Sequence, residues 1–244
     1  MIEAARQLAA MEPPAAPGVP GRLIQLAGQA LWALPQGALY WPDEGMLIVA
    51  DLHLEKGSSF ARRGIFLPPY DTQATLAMLA ALVLQLAPRV VVALGDSFHD
   101  RHAAERLDDL AQKDLAVLQK GRDWIWITGN HDPEPPRGLS GISASDLCIG
   151  PLSLRHEPAP GAGDGEIAGH LHPVGKIRVR GRTIRRRCFA CDGRRMVLPA
   201  FGAYTGGLNV RDSAFKSLFT AELTAWLIGE EQVYPISRRK LLGD

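Results

Sequence analysis

Between Leu23 and Ala50, short apolar segments alternate with turn signals at Ala27-Gly28-Gln29, Pro35-Gln36-Gly37 and Pro42-Asp43-Glu44-Gly45, a rhythm that predicts consecutive strands. After Asp51 the period changes. Asp71 and Thr72 are placed to cap a helix whose apolar positions run to Ala87, where Pro88 stops it. A strand over Val90 to Leu94 follows, then a helix over about Ala103 to Lys120 with Leu107, Leu110, Leu115 and Leu118 at near-helical spacing, ended by Gly121. Trp124 to Thr128 reads as another strand, its tryptophans assigned to the core. Further strands are predicted at Leu152 to Arg155, Glu166 to Ala168, Lys176 to Arg180 and Met196 to Leu198, with a last hairpin around Gly229-Glu230-Glu231. There is no internal repeat. Residues 1 to 21 contain the run EPPAAPGVPG and read as a flexible arm outside the fold, which leaves 22 to 244 as a single α/β domain.

Composition narrows the class. With 46% hydrophobic and 22% charged residues, the chain falls among soluble globular domains. The N-terminus MIEAARQLAAM lacks a basic region followed by an unbroken apolar one, so no export is expected and the location expected is cytoplasmic. The most apolar stretch, Leu76 to Ala87, is shorter than the roughly 20 residues of a membrane span and is interrupted by Gln85, so no membrane partner is expected. Three cysteines are too few for a disulfide framework; Cys188 and Cys191 have CxxC spacing and read as ordinary thiols, with a metal pair as the alternative.

The acids, amides and histidines then fall in a pattern that periodicity alone does not produce. MLIVA runs into Asp51-Leu-His53, VVVAL into Gly95-Asp96, WIWIT into Gly129-Asn130-His131-Asp132, LSLR into His156, and EIA into Gly169-His170-Leu-His172. Ligands of open α/β sheets gather beyond the carboxyl ends of the strands, so the five clusters can share one site. Each alone is as readily a cap or turn residue; together they hold five of the seven histidines. Two Asp, one Asn and four His form an oxygen and nitrogen set without thiolate, suited to Mn, Fe or Zn at a hydrolytic centre. Seven donors exceed one tetrahedral ion. With one bridging carboxylate, for which Asp96 is the candidate by position, they can hold two ions about 3.5 to 4 Å apart, the arrangement that serves phosphoryl transfer.

The order D-x-H, G-D, G-N-H-D, a lone H and G-H-x-H resembles the calcineurin-like metallophosphoesterase superfamily over about Leu47 to His172. More narrowly, DLHLEKG (Asp51 to Gly57), GDSFHD (Gly95 to Asp100) and LPAFGAYTGGLN (Leu198 to Asn209) resemble the bacterial ligase-associated DNA-damage-response endonucleases. The resemblance implies a four-layer α-β-β-α sandwich, one ion held by Asp51, His53, Asp96 and His172, and a second by Asp96, Asn130, His156 and His170. It implies a catalytic His131 near the leaving group with Asp132 close by, and Mn as the metal, with Fe or Zn as alternatives. The GDSFHD form assigns His99 to the substrate phosphate; a helix-start histidine bonded to Asp100 is the other reading. The activity implied is a DNA endonuclease acting on single strands in DNA repair, with a ligase or helicase as partner and a homodimer open to it. The alternatives are a phosphomonoesterase or small-nucleotide phosphodiesterase of the same fold, and a retromer-like scaffold, which would lack parts of the metal set.

Net charge is only +1, so no whole-molecule field recruits a polyanion. The charge is uneven, however: residues 176 to 195 carry nine cations against Asp192, a local +8 that leaves −7 elsewhere. Alternation places Lys176, Arg178 and Arg180 on one strand face. With Arg182, Arg185, Arg186 and Arg187 they are the candidate DNA-phosphate contacts, which would set affinity and salt dependence without reading sequence. A solvated hairpin edge is the competing reading. Lys56, Ser58 and Ser59 form a loop that either touches phosphate or simply turns.

Overall fold

The computed structural model describes residues 18–68, 70–134 and 138–244. Most of the expected arm therefore lies outside the described residues, and packing begins by Val19, which is buried in the first core. The opening strands form as the turn signals dictate: β1 (Arg22–Leu26), β2 (Gln29–Ala33), β3 (Leu39–Trp41) and β4 (Met46–Val49) pair antiparallel in sequence order. The chain then crosses over through helices α1 (Lys56–Ala61) and α2 (Asp71–Leu86) to β5 (Val90–Leu94), and through α3 (Asp109–Gln119) to β6 (Asp123–Ile127). Strands β4, β5, β6 and β7 (Ile142–Ala144) are parallel, completing a seven-stranded sheet.

A second sheet of nine strands holds β8 (Asp146–Ile149), β9 (Leu152–Arg155), β10 (Glu166–Ala168), β11 (Pro173–Val179), β12 (Arg182–Cys191), β13 (Arg195–Val197) and β14 (Leu208–Asn209). The last hairpin, β15 (Thr224–Ile228) and β16 (Val233–Ser237), adds to β12.

Strand side chains alternate between faces, and here both faces are apolar, as a covered sheet requires. Val91 and Ala93 of β5 join Leu76, Leu79 and Leu82 of α2 in one core, while Val92 and Leu94 join Leu154, Ile167, Phe189 and Met196 of the second sheet in the core between the sheets. Trp124 and Trp126 lie in the helix-side core, as expected. The architecture is the expected double-sheet sandwich. Its fourth layer is reduced: among the described residues, the outer face of the second sheet is covered by Val210, Phe215, Leu218, Leu223 and Leu241 from loops and short 3-10 turns rather than by an α-helix. No helix among the described residues is long and apolar enough to cross a membrane.

Three local expectations change. The 56–59 segment, read as a loop, is helix α1. Asp71 and Thr72 cap this helix and its approach rather than their own: Asp71 Oδ2 accepts the Gly57 N–H at 3.0 Å, and Thr72 Oγ1 accepts the Glu55 N–H at 2.8 Å. The helix expected from Ala103 is split, because Asp108 accepts the Ala111 N–H at 2.7 Å and starts α3 there; Leu110 consequently faces solvent.

Cys188 and Cys191 lie three apart on β12, so their side chains enter opposite cores and cannot chelate one ion. Burial pushes the Cys191 thiol up to about 12 and Cys188 higher still. A thiol reagent should therefore titrate one cysteine, the exposed Cys148, in the native protein and all three in denaturant; three reactive thiols in the native state would contradict this packing.

Part of the basic window is structural. Arg195 and Glu166 are both buried: Arg195 Nε donates to Glu166 Oε2 at 3.0 Å, Nη2 contacts the same oxygen, and Nη1 and Nη2 donate to the Leu218 and Ala159 carbonyls. Arg194 pairs with Asp164. Glu166→Gln strands a buried guanidinium and should lower unfolding free energy by about 3 to 5 kcal/mol in urea melts; a loss below about 1 kcal/mol would show the pair to be dispensable.

Candidate metal centre

Five strands end on the same rim. β4 delivers Asp51 and His53, β5 Asp96, β6 Asn130 and His131, β9 His156, and β10 His170 and His172. Five of the seven ligand candidates have left-handed backbone: Asp51 (φ 54°), His53 (44°), Asp96 (45°), His170 (68°) and His172 (44°). Each costs about 1 to 2 kcal/mol for an L-residue, and such strain survives where its surroundings over-determine it, most often at functional sites. Here the loops lace together, with His53 N–H on Asp96 O at 2.9 Å and Gly169 N–H on His156 O at 2.9 Å. Two glycines in these motifs make room rather than merely turn: a Cβ at Gly95 would strike the His156 ring, and one at Gly129 would strike the Asp96 carboxylate.

The donors fall into two groups. In the first, His53 Nε2 and His172 Nε2 are 3.3 Å apart, His172 Nε2 is 3.2 Å from Asp51 Oδ1, and Asp96 Oδ2 is 3.9 Å from His53 Nε2. In the second, Asn130 Oδ1 is 2.9 Å from His156 Nε2 and 3.0 Å from His170 Nδ1, the two imidazole nitrogens are 3.2 Å apart, and Asp96 Oδ1 is 3.4 Å from His156 Nε2. Ligands about 2.0 to 2.2 Å from one ion stand roughly 3 to 3.5 Å from each other. The spacing within each group therefore fits a cation. Asp96 presents one oxygen to each group. All seven candidates are brought to one rim, and His53 also stands in a third cluster of ring nitrogens with His99 and His131.

Protonation favours the same use at His53, His170 and Asp96 and opposes it at His156. Burial, aided by the positive potential of neighbouring His172, lowers His53 to about 2, and burial with His156 lowers His170, so both offer bare lone pairs at neutral pH. Burial alone would raise Asp96, but hydrogen bonding and charge from His156 and the His131 N–H outweigh it and hold the carboxyl at about 2. Burial likewise opposes a charge on His156, yet Asp96 and Asp51 prevail and raise it. His156 Nδ1 faces the Leu94 carbonyl at 3.2 Å, which fixes the tautomer with Nε2 toward the second group.

His131 stands beside both groups. Its Nδ1 donates to the His99 carbonyl at 2.8 Å, leaving Nε2 4.0 Å from Asp96 Oδ2 on a side chain 40% exposed. Asp132 is placed differently from expectation. It is buried, with Oδ2 accepting the Ser97 and Phe98 N–H groups at 2.8 and 3.1 Å and Oδ1 the Gly129 N–H at 3.0 Å. Burial pushes it up to about 7, followed by the Asp96 charge, while those amides pull it down. It pins two ligand loops together rather than facing a leaving group. His99 is inside the site, its Nδ1 3.4 Å from His53 Nδ1 and its ring stacked on His131 at 5.3 Å. Asp100 bonds Arg106 instead of His99, which removes the helix-start reading.

The basic strip is smaller than alternation implied. Arg180 leaves the strand face for a two-residue turn with Gly181 (φ 49° and 78°), a type I′ hairpin geometry. Register puts Lys176 opposite Arg185 and Arg178 opposite Thr183 on one face, with Arg182 and Arg186 on the other face beside Ile177 and Ile184. Arg187 is turned inward onto the Ala200, Phe201 and Gln36 carbonyls. Lys176, Arg178 and Arg185 thus remain on that face, with Lys176 Nζ 3.6 Å from Asp244 Oδ1 and Arg185 bound to the Gly207 carbonyl of the 200–207 loop at 2.6 Å. At the other lip, Lys56 Nζ donates to Tyr204 O at 3.0 Å, and the Phe60 ring lies 5.6 Å from His99. Neither Phe60 nor Tyr204 carries a signal of this role in sequence beyond the position of Tyr204 within LPAFGAYTGGLN.

A two-sheet sandwich with His/Asp groups gathered at its strand ends defines a metal-dependent phosphoesterase. The chain belongs to the calcineurin-like phosphoesterase family, whose model matches residues 46–180. Among solved structures, the nuclease MPE of Pseudomonas putida is 30% identical and superposes with a TM-score of 0.68, covering 88% of this chain and 100% of that one. Yfce, a phosphoesterase from E. coli, is 14% identical with a TM-score of 0.41 over 79% of this chain and 98% of its own. No curated protein matches the chain.

Proposed function

We propose that this phosphoesterase is a DNA endonuclease with general phosphodiesterase activity, acting on single strands in DNA repair. The observation that carries the reading is the pair of donor groups sharing Asp96, in a chain 30% identical to a nuclease over 88% of its own length. Asp51, His53, Asp96 and His172 would hold one divalent ion, and Asp96, Asn130, His156 and His170 the other, with Mn the first choice for an oxygen and nitrogen set. Such a pair supplies Lewis acidity, making water a competent nucleophile near neutral pH and neutralising charge on the phosphoryl oxygens. The residues of the chain do the rest. His131, held by the His99 carbonyl, is placed to give a proton to the departing oxygen, and His99 with Lys56 lines the side where phosphate oxygens would lie. A complete set of ligand types argues against a protein-binding scaffold. A ligase or helicase partner, a dimer and a cytoplasmic location belong to the same proposal and rest on the resemblance.

The test is digestion of closed circular single-stranded and duplex DNA with Mn, Mg, Zn or a chelator. Opening of the single-stranded circle with Mn, abolished by chelation, is the expected result; a requirement for free ends would remove the endonuclease assignment. Strong preference for mono- over bis-nitrophenyl phosphate would favour the monoesterase reading. For the strip, Arg178→Gln should weaken oligonucleotide binding uniformly across sequences and reduce the salt slope by about 0.7; an unchanged slope would make the strip a solvated edge.

A further inference from the structure

Beyond the metal groups, α1 passes beside His99, with the Phe60 ring 5.6 Å from it, and is followed by Arg62, Arg63 and an irregular stretch as far as Pro68. Two hollows flank α1. One, about 430 Å³, is bordered by Arg62, Arg63 and Arg101. The carboxylate on its wall, Asp100, is committed to Arg106, with Nη2 to Oδ2 at 2.7 Å, so the three arginines keep their charge for a ligand. The other hollow, about 450 Å³, is bordered by Ala61, Phe66 and Leu67 and also by the carboxylates Glu55, Asp71 and Asp108, which already accept hydrogen bonds from Thr72 Oγ1, the Gly57 N–H and the Ala111 N–H respectively. Here the chain exposes apolar surface it has no internal use for: Phe66 is 85% exposed and Tyr70 62%, with Ile65 beside them.

A cationic hollow bordered by Asp100, the neighbour of His99, and an exposed aromatic side chain, Phe66, beyond the Asp100–Arg106 ion pair match the alternation of phosphate and base along a nucleic acid. A duplex keeps its bases stacked inside and cannot lay one on Phe66, whereas an unpaired strand can. We infer that α1 and residues 62–68 form a single-strand subsite on the His99 side of the metal groups, with phosphates on the Arg62, Arg63 and Arg101 hollow and an unstacked base against Phe66. The inference rests on the nuclease reading and adds to it a physical source of strand preference.

The test measures anisotropy of labelled oligothymidylate and of an abasic oligomer of equal length on the metal-loaded chain carrying His131→Ala, so that bound DNA survives. Phe66→Ala should weaken oligothymidylate on the order of 10-fold and leave the abasic oligomer unchanged. Tyr70→Ala, as a second variant, should act in the same direction. Arg62→Gln with Arg63→Gln should weaken both ligands and lower the salt slope by roughly 0.7 per arginine. Equal binding by the Phe66→Ala and parent chains overturns the inference, as does equal weakening of both ligands. A Phe66→Ala change in oligomeric mass without a change in binding would make the loop a contact between copies. If the parent chain binds no DNA, the nuclease reading falls too; if it binds and the wild-type chain cuts, only the subsite falls.

Discussion

Asp96→Asn should reduce the metal content from two ions per chain to one or none and lower phosphodiesterase kcat/KM by about 10³-fold or more. Asp96 is the one side chain whose two oxygens face the two donor groups, 3.9 Å from His53 Nε2 on one side and 3.4 Å from His156 Nε2 on the other. An amide has the same shape but offers a single neutral oxygen, so it cannot present negative charge to both groups. The substitution also spares the fold, because Asn can still accept the His131 N–H that Asp96 Oδ1 holds at 2.9 Å. Elemental analysis and steady-state kinetics on the same preparation check this; two ions retained with full turnover would remove Asp96 from the bridging position.

The second large effect is on His131. His131→Ala should lower kcat by about 10² to 10⁴ while both ions stay bound. The ring is held by its Nδ1 on the His99 carbonyl, and although its Nε2 is 4.0 Å from Asp96 Oδ2 and it clusters with His53 and His99, the resemblance gives it the leaving group rather than an ion. A proton donor should matter most for a poor leaving group. The loss should therefore be large on DNA and small on bis-nitrophenyl phosphate, whose nitrophenolate leaves without a proton. Loss of a metal ion in this variant would instead make His131 a ligand.

Much of the fold was legible because local rules were sufficient. Turn dipeptides marked β1 to β4, the VVVAL run matched β5 residue for residue, and Pro88 followed the end of α2 as it should. The failures are where tertiary contacts override local preference. Asp71 serves Gly57 rather than its own helix, and Asp108 outcompetes the leucine spacing that favoured an earlier start to α3. The ligand candidates were readable as residues at strand ends, since the topology of a parallel sheet sends successive strand ends to one rim. Side-chain direction was not. Asp132 reads in sequence like its neighbours Asn130 and His131 but turns toward backbone amides. Arg187 continues a basic run yet points at carbonyls, because strand register, not composition, decides which face a side chain takes. Phe60 and the Arg62-Arg63 pair carried no periodic signal, and only the folding of α1 beside His99 gives them a place near the site.

Anomalous scattering from crystals grown with Mn bears most directly on the central claim. Two peaks are expected about 3.5 to 4 Å apart, one among Asp51, His53, His172 and Asp96 and the other among Asp96, Asn130, His156 and His170. A lone peak, or one held by His53, His99 and His131 instead, would contradict it.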